Sequence, residues 1–442
     1  MGDILKTNRR IASVFGFFAA ALFCFILTQN TYAANKEITD KQDMQKRLDA
    51  FNKYSKTLSI IEQYYVDDEN LSDLVDKSIS GLLSNLDAHS AFLDEKAFAD
   101  MKIQTKGEFG GLGITVGMKD NALTVIAPIE GTPADKAGIK AGDIIIKIDD
   151  EATIDMKLDE AVSKMRGKPR TPINITILRK NVTKPIEIKL IRDIIKIESV
   201  YAKLIEDENI LYLRVTSFDQ NVANQASKQI KKYPDVKGIV LDLRNNPGGL
   251  LDQAIELTNL FVDEGVIVSQ KGRIEGENKE HKALASKKIT DVSLVVLVNA
   301  GSASASEIVS GALQDLKRAV VVGENTFGKG SVQSIMPISE NEALKLTIAR
   351  YYLPSGRTIQ AVGVKPDIEI GAGKITQDES FSIKETNLKQ HLQGEAPSEK
   401  KEDVKSDKKS KDIITKEEIN NDAQLKSAVD TVKILNLTRT YK

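Results

Sequence analysis

Three short apolar segments, each followed by a turn rich in glycine, asparagine or serine, most constrain the fold of this chain. The segments are Gly238–Leu243, Ser293–Val298 and Ala319–Val322. Nearly continuous apolar runs of this length, here with Asp242 and Ser293 as the polar members, are typical of strands that are buried on both faces. Helical patterns lie between them, at Leu250–Phe261 and Ala305–Gln314. This alternation of strand and helix predicts an α/β core with a partly parallel sheet.

Two regions of different character precede this core. Apolar residues recur three or four positions apart from Asp40 to Tyr65 and again from Leu71 to Leu86, which predicts a helical region over residues 35–106. Short β-rich runs with intervening glycines predict a compact small domain over residues 107–192. Its predicted helices lie near Ala134 and over Leu158–Met165, and its predicted strands are Leu112–Met118, Leu123–Ile129, Asp143–Ile148, Ile173–Leu178 and Ile186–Ile191.

The core itself is predicted to cover residues 193–371, with further strands at Ile210–Val215 and Ala343–Tyr351 and a helix at Asn221–Lys231. Residues 372–442 form a charged linker or tail, since a stretch dominated by Lys, Glu, Ser and Asp buries little apolar surface. An amphipathic pattern at Ala423–Leu435 predicts a terminal helix. The predicted fold class is therefore multidomain α/β (α+β), with a mixed sheet, a helical N-terminal region and an inserted β-rich domain.

Charge and cysteine usage exclude several kinds of function. The 62 basic and 63 acidic residues nearly cancel, whereas nucleic-acid-binding chains usually carry a basic excess on one face. We therefore predict no nucleic-acid partner. The single cysteine, Cys24, leaves the rest of the chain without disulfides or a thiolate metal site. We predict no metal and no cofactor.

The N-terminus has the pattern of an export signal. A basic segment, Lys6–Arg10, precedes the apolar run Ile11–Leu27 and the small-residue stretch Thr31–Ala34. This order is typical of a secretory signal cleaved near Ala33, although the run is also just short of a membrane span, which leaves an uncleaved anchor open. In either case we predict that residues 1–34 direct export to the periplasm or cell envelope, with the protein soluble there or anchored to the cytoplasmic membrane.

A serine-rich turn, Gly301–Glu307, joins the apolar strand Ser293–Val298 to a helix. A nucleophile at such a turn would lie beside unpaired N–H groups and the positive end of the helix dipole, which can stabilise an oxyanion. The alternative is that the serines only cap the helix and fill space. Spacing alone does not decide which serine would react.

The base for such a serine is predicted to be Lys329, in the segment Gly328–Gln333. A serine hydroxyl reacts poorly unless a neighbouring base takes its proton. Histidine usually does so, but the histidines here lie in an early helical stretch, in a polar connection and beside the charged tail, at His89, His281 and His391. Lysine can replace it when burial keeps the amine neutral. The residues therefore indicate a Ser/Lys hydrolase.

A second glycine-containing turn, Arg244–Gly249, follows the buried strand Gly238–Leu243. Its glycines would let the backbone approach a ligand, and one of their N–H groups could be a second oxyanion donor. An ordinary tight turn before a helix explains the same residues equally well.

The segment Gly323–Gly330 nearly matches a nucleotide-binding P-loop. Gly330, however, occupies the place of the Ser or Thr that would bind Mg²⁺. The following Ser331–Ile338 is rich in β-branched residues and contains Pro337, where a P-loop needs a helix. We therefore predict no ATP binding.

A glycine-rich turn, Gly110–Ile114, opens a strand of the small domain. Successive N–H groups in such a turn can bind a carboxylate, and the strand edge can accept a peptide by β-augmentation. The later segment Thr132–Asp143 has the pattern of a short helix and a turn leading into a strand, and in this it resembles PDZ domains.

Together, these motifs resemble the C-terminal processing peptidases, or tail-specific proteases, which are exported serine peptidases with an internal PDZ domain. The resemblance extends from about Leu48 to Ile370. It depends on motifs that occur in the same order as in the family: Asn85–Ser90, the PDZ-like segment Thr132–Asp143, Leu241–Gly249, Gly301–Gln314, Gly323–Gln333 and Gly363–Asp367. It implies that residues 107–192 are a PDZ domain and that residues 193–371 are the peptidase core.

The resemblance also assigns roles to residues. It implies that Ser304 is the nucleophile, Lys329 the general base and Gln333 the residue that orients the lysine. The oxyanion hole would consist of the backbone N–H of Ala305 and that of Gly248 or Gly249. In the PDZ domain, the substrate's C-terminus would bind at Gly111, Leu112, Gly113 and Ile114.

The predicted function is cleavage of exported proteins near their C-termini by a serine endopeptidase that recognises their tails. The alternative is a non-catalytic PDZ adaptor on an inactive peptidase fold, against which the presence of Ser304, Lys329 and Gln333 argues. Arg166, at the end of a predicted helix, is a candidate for coupling PDZ occupancy to the catalytic site, its alternative being a solvated helix-end charge. The predicted partners are protein substrates, with a homo-oligomer or an adaptor protein left open.

Overall fold

The computed structural model of the protein describes residues 43–374 and 412–440. Contacts divide the chain into two units, the first ending at Phe92 and the second beginning at Leu93. The described part of the first unit contains α1 (43–64) and α2 (Leu71–Ser84), followed by strand β1 (Ala91–Leu93) at the border of the units. Within the described ranges, no helix is both long and apolar enough to cross a bilayer. The predicted signal or anchor, residues 1–34, and His391 lie outside these ranges.

The helices predicted for the first unit are confirmed, with α2 beginning at a cap in which the Asn70 side chain accepts the N–H of Ser72. His89, placed by the sequence in a helical stretch, instead lies in the turn after α2. The Asp87 carboxylate accepts the N–H groups of His89 and Ser90, which stabilises a turn in place of a further helical residue.

The second unit begins with a helix and the small β-rich domain. The helices of this part are α3 (Glu95–Lys106), α4 (Pro133–Lys136) and α5 (Leu158–Met165). Its strands are β2 (Glu108–Gly111), β3 (Ile114–Lys119), β4 (Ala122–Pro128), β5 (Ile144–Ile148), β6 (Glu151–Ala152), β7 (Pro172–Leu178), β8 (Ile186–Ile191) and β9 (Asp193–Lys196).

An antiparallel sheet in the order β3-β4-β5-β7-β8, with β6 beside β5, builds the small domain. Ala134 of α4 and Ala161 of α5 pack with Ile145 and Ile175 in one buried cluster. Because each helix turns apolar residues toward this cluster, both helices could be predicted from the sequence pattern. Strands β2 and β9 pair antiparallel where the chain enters and leaves the domain. The predicted strands and helices of this region are thus confirmed.

The α/β core follows. Its helices are α6 (Val222–Lys231), α7 (Leu251–Asn259) and α8 (Ala305–Asp315). Its strands are β10 (Val200–Ile205), β11 (Ile210–Val215), β12 (Gly238–Asp242), β13 (Val266–Gly272), β14 (Lys279–Lys282), β15 (Ser293–Val298), β16 (Val320–Gly323), β17 (Ser331–Pro337), β18 (Ala343–Tyr352) and β19 (Ile368–Glu369). The C-terminal segment contributes β20 (Ile413–Ile414), α9 (Lys416–Asn420) and α10 (Ala423–Thr440).

The central sheet has the strand order β19-β16-β15-β12-β11-β10-β20, in which β11, β12, β15, β16 and β19 run parallel. Ile239 and Leu241 of β12 belong to the cluster that packs under α6, α7 and α8. Val240, between them, belongs to the opposite cluster, under α10. Nearly all residues of these segments are apolar because helices cover both faces of the sheet. Parallel strands also bring the turns after β12, β15 and β16 to one edge, where α/β proteins bind ligands.

The C-terminal segment completes the core. β20 pairs parallel with β10, and Leu425, Ala428 and Val432 of α10 pack on the central sheet. The predicted terminal helix is therefore present and belongs to the folded core, although residues 375–411 between it and β19 lie outside the described ranges.

Some elements were missed by sequence patterns. Helix α3 has no sustained apolar period, since Phe98 is its only fully buried residue among those described. His281 lies in β14 of a second, antiparallel sheet in which β18 pairs with β13 and β17, and not in a loop. β17 begins at Ser331, two residues after Lys329, so a strand lies where a P-loop would need a helix.

Candidate active site

The turns after β12 and β15 are joined by a reciprocal pair of asparagines. The Asn245 N–H donates to Asn299 Oδ1 at 2.8 Å, and Asn299 Nδ2 donates to Asn245 Oδ1 at 2.9 Å. The Ala303 N–H also donates to the Asn246 carbonyl at 3.0 Å. The two turns are therefore fixed to each other and form one rigid surface.

The serines of the second turn have different environments. Ser302 Oγ donates to the Leu243 carbonyl at 2.8 Å, and Ser306 Oγ donates to the Asn246 carbonyl at 2.9 Å, both inside the protein. Both side chains are fully buried, whereas Ser304 lines a cavity of about 660 Å³. The geometry separates two structural serines from one that faces an open space, a distinction that spacing could not make.

Ser304 has an uncommon backbone conformation. Its φ of +54° and ψ of −109° place it at the N-cap of α8 in a region that non-glycine residues seldom occupy. Gly248 of the neighbouring turn lies so close that a Cβ there would be 2.9 Å from Ser304 Cβ. The position needs glycine both for this approach and for its φ of +102°.

The carboxylate of Glu307 connects the serine to the lysine loop. Glu307 is fully buried in the first turn of α8. Its Oε2 accepts the N–H of Ser304 and the N–H of Lys329, each at 2.8 Å. Its Oε1 accepts the Thr326 hydroxyl at 2.6 Å and the Gly328 N–H at 2.7 Å. One side chain thus fixes both candidate catalytic residues through their backbones.

Lys329 extends into the same cavity as Ser304. Burial lowers the pKa of Lys329 below its ordinary value of 10.5, and the nearby positive charge of Lys345 lowers it further. Glu307 acts in the opposite direction and does not cancel these effects. Among the described residues, no carboxylate lies within 4 Å of the Lys329 ammonium. The lysine is therefore easier to deprotonate than a solvated one, as a general base requires.

Gln333 also lines the cavity, on strand β17 and next to a register shift in its pairing with β18. Its Nε2 donates to Ser331 Oγ at 2.8 Å and weakly to Thr347 Oγ1 at 3.4 Å. The amide is thereby oriented by neighbours on its own sheet, which leaves its oxygen as the atom available to an ammonium.

The backbone N–H groups expected to form an oxyanion hole are not equivalent. The Gly248 N–H donates to Asn246 Oδ1 at 2.9 Å. The N–H groups of Gly249 and of Ala305, at the first position of α8, have no hydrogen-bond partner among the described residues. The structure therefore leaves Gly249 and Ala305, but not Gly248, with donors available to a ligand.

A buried charged network supports the turn after β12. Arg244 binds the buried Asp242 through Nε and Nη2, with the shortest contact at 2.6 Å. The same guanidinium donates from Nη1 to Asp422 at 2.9 Å and to Gln424 at 3.1 Å. The C-terminal segment is thus bonded to the residue that begins this turn. Sequence reasoning missed this role, because the residues are 178 and 180 positions from Arg244.

The small domain has the predicted groove. A cavity of about 110 Å³ is lined by Gly111–Ile114 on one side and by residues of α5, including Val162 and Met165, on the other. Gly113 has a φ of +75°, and Leu112 is buried beneath the turn. Backbone donors and an apolar wall therefore meet in one groove, as the recognition of a peptide C-terminus requires.

Arg166 lies at the edge of this groove, with its side chain partly exposed. Its guanidinium forms an ion pair with Asp100 of α3 at 2.9 Å and lies 5.1 Å above the Phe109 ring. Met101, the next residue on α3, lines the catalytic cavity, as do Gln104 and Thr105. Helix α3, which lies in the predicted helical region but has no apolar pattern of its own, therefore connects the groove with the cavity.

In the described ranges, no group of three or more His, Cys, Asp or Glu side chains is placed to hold a metal ion. The functional residues that sequence reasoning missed are Glu307, Lys345, Asn245 and Asn299. Of these, only Glu307 carried a local signal, a glutamate three residues after a serine that begins a helix, which is the capping-box pattern.

Comparisons with known proteins show which family and domain types the chain matches. The description "Peptidase family S41" matches residues 209–370, and "PDZ domain" matches residues 110–190. A carboxy-terminal-processing protease of Bartonella bacilliformis is 42% identical over 396 residues, covering 87% of this chain and 89% of that protein. The carboxy-terminal processing protease CtpA of Bacillus subtilis is 34% identical, covering 79% of this chain and 74% of that protein.

Among solved structures, a photosystem II D1 C-terminal processing protease is similar, with 27% identity and a TM-score of 0.41 over 72% of this chain and 92% of that one.

Replacing Glu307 by Gln should lower kcat by about 10²-fold, because an amide offers one acceptor oxygen where the carboxylate receives four hydrogen bonds, and small displacements of catalytic groups are costly. Steady-state hydrolysis of a peptide substrate measures this effect. Glu340→Gln, in an exposed turn, is the control and should retain full activity. A Glu307→Gln enzyme as fast as its parent would show that the carboxylate does not position the site.

Replacing Lys345 by Met should move the rising limb of the pH–activity profile to higher pH. The positive charge of Lys345 lowers the pKa of Lys329, so its removal raises that pKa and delays formation of the neutral amine. Lys345→Arg retains the charge and should leave the midpoint in place. A midpoint that stays fixed or moves down in Lys345→Met would refute this electrostatic effect.

Proposed function

Because this chain belongs to the carboxy-terminal processing proteases of peptidase family S41, and is a serine-type endopeptidase, we propose that it cleaves with a Ser304/Lys329 pair and selects substrates by their C-terminal tails. The observation that carries the proposal is the single cavity that contains Ser304, Lys329 and Gln333, with Glu307 bonded to the backbones of the first two.

The proposed reaction begins with Lys329 in its neutral form, which its lowered pKa favours. Lys329 accepts the proton of Ser304 Oγ as the oxygen attacks the substrate carbonyl. Collapse of the tetrahedral intermediate breaks the peptide bond, and Lys329 returns the proton to the leaving amine. Water then attacks the acyl-enzyme as Lys329 accepts its proton, and Lys329 passes this proton to Ser304 Oγ as the acyl–oxygen bond breaks. Gln333 would orient the amine through its amide oxygen.

The oxyanion in this mechanism would be held by the N–H groups of Ala305 and Gly249. Both donors are available, and the positive end of α8 lies at Ala305. Gly248 would instead supply space, since a Cβ at that position would be 3.0 Å from the Ala305 nitrogen.

The PDZ groove would bind the substrate's terminal carboxylate at the Gly111–Ile114 turn and its last apolar side chain against α5. Arg166 would couple peptide binding in this groove to the catalytic cavity, since it lines the groove and forms an ion pair with Asp100 on α3. Opening of that ion pair on binding would release α3, whose Met101 and Thr105 lie in the catalytic cavity.

We also propose that the protein acts outside the cytoplasm, in the periplasm or cell envelope, on exported proteins. The support is the basic and apolar pattern of residues 1–34. Sequencing the N-terminus of the mature protein tests this, since a chain that retains Met1 in the cytoplasmic fraction would contradict it. The adaptor alternative lacks support from the similar proteins, whose names are those of proteases.

Lys329→Ala should reduce kcat by about 10³-fold, the usual contribution of a general base, and leave the fold intact. Lys329→Arg should fail as well, because a guanidinium stays protonated at any working pH. Rates of peptide hydrolysis test both variants, with Lys279→Ala on the exposed strand β14 as the control. Substantial turnover by Lys329→Ala would mean that another group deprotonates the serine.

Substrates that differ only at their C-termini test the PDZ groove. Amidation removes the charge that the backbone donors would recognise, and added Asp residues place charges in an apolar pocket. Each change should lower kcat/KM by about 10-fold or more, as expected for lost hydrogen bonds to a charged group. A tail lengthened by uncharged Ala residues controls for length. Equal cleavage of free, amidated and Asp-extended substrates would exclude tail selection by this groove.

A further inference from the structure

A second polar cleft adjoins the catalytic cavity within the second unit. Its volume is about 330 Å³, and it shares Gly107 and Ile197 with the cavity that contains Ser304. The Ile197 N–H donates to the Gly107 carbonyl at 2.8 Å, so this bonded pair borders both spaces. A polypeptide substrate extending from the scissile bond past this border would enter the cleft.

One wall of the cleft is a continuous polar face of α6. Its lining residues occur three or four positions apart, which places them on one side of the helix. They consist entirely of amides and ammonium groups: Asn221, Asn224, Gln225, Lys228, Gln229 and Lys232. Amide side chains both donate and accept hydrogen bonds, so they match the donors and acceptors of an extended peptide backbone.

The charges of the cleft are predominantly positive. Lys196, Lys228 and Lys232 line it, and among the described residues Glu198 is the only carboxylate that does so. Lys196 faces Glu108 across the β2–β9 pair, which partly compensates its charge. In the described part of the chain, none of the three lysines has a carboxylate within 4 Å, in contrast to Lys288, which binds Asp263 and Asp291. The lysines of α6 are therefore available to a ligand.

We propose that this cleft is an extended substrate subsite that binds an acidic stretch of the polypeptide being cleaved. Lys228 and Lys232 would contact substrate carboxylates, while Asn224 and Gln225 would hydrogen-bond to the substrate backbone. The inference rests on the proposed peptidase function, since the ligand is identified by the cleft's position beside the catalytic cavity. Such complementarity adds specificity and faster association more than affinity.

Pairs of peptides test the subsite. Both members share one scissile sequence and one C-terminal tail, and they carry either three Glu or three Gln residues at matched distances on either side of the scissile bond. When the three residues stand at the distance from the scissile bond that reaches the cleft, the wild-type enzyme should show a higher kcat/KM for the Glu peptide than for the Gln peptide. In Lys228→Gln/Lys232→Gln, the Glu-to-Gln ratio should fall about fivefold, consistent with two solvent-accessible charge contacts. The wild-type ratio should also fall as added salt screens these contacts.

Lys231→Gln is the matched control, because Lys231 is exposed on the same helix but does not line the cleft. It should retain the wild-type ratio. A wild-type ratio of one at every placement would overturn the proposal. An equal fall in Lys231→Gln would also overturn it, since it would show only a general effect of surface charge.

Binding to a Ser304→Ala variant separates failure of the subsite from failure of the proposed function. Fluorescence anisotropy with the same peptides, with and without the Lys228→Gln/Lys232→Gln changes, measures binding independently of cleavage. Suppose that the Glu peptide binds more tightly than the Gln peptide only when Lys228 and Lys232 are present, and that the parent enzyme hydrolyses neither peptide. The subsite would then be retained and the Ser304/Lys329 mechanism rejected. If the parent enzyme hydrolyses the Glu and Gln peptides equally well and the Ser304→Ala variant binds them equally well, the subsite is rejected but the proposed peptidase mechanism is not.

Discussion

The hydrogen bonds received by the buried carboxylate of Glu307 fix the positions of Ser304 and Lys329, on which the proposed catalytic site depends. The donors come from the turn after β15, through Ser304, and from the loop after β16, through Thr326, Gly328 and Lys329. A buried carboxylate is stable only with its hydrogen-bond partners in place, so any separation of these segments leaves polar atoms unpaired in the interior. Glu307 accepts a hydrogen bond from the backbone N–H of Lys329, whereas the ammonium group of Lys329 points into the cavity. This arrangement lets burial and Lys345 lower the pKa of the amine despite a carboxylate nearby.

The remaining parts of the site depend on the same edge of the central sheet. Parallel strands with helices on both faces bring the turns after β12, β15 and β16 together, and the Asn245–Asn299 pair fixes the first two. Arg244 extends this support to the C-terminal segment through Asp422 and Gln424. The segment beyond residue 412 is therefore part of the catalytic core, although a charged stretch of more than thirty residues separates it from β19 in sequence.

The sequence predicted the parts of the structure that local patterns encode. Buried strands such as Ser293–Val298 have apolar side chains at every position after the first, and the small domain's strands alternate with glycine turns, so both were recognised. The positions of the three histidines indicated Lys329 as the base, and the family resemblance added Ser304 as the nucleophile, which spacing alone could not identify. Helix α3, within the predicted helical region, was not identified as a separate helix because it buries little apolar surface. The Arg244 network was missed because its partners are distant along the chain. Which of Ser302, Ser304 and Ser306 faces the cavity follows only from the packing of the two turns.

The central claim is that Ser304 reacts because a buried, neutral Lys329 takes its proton. The most direct measurement is the rate of covalent labelling of Ser304 by a serine-directed sulfonyl fluoride as a function of pH, with the labelled residue identified by mass spectrometry. This rate requires neither substrate binding at the PDZ groove nor product release. The account predicts labelling at Ser304 that rises with pH through a midpoint below the ordinary lysine pKa of 10.5, and that is lost in Lys329→Ala. Labelling at another residue, or a pH profile for Ser304 that is unchanged in Lys329→Ala, would contradict it.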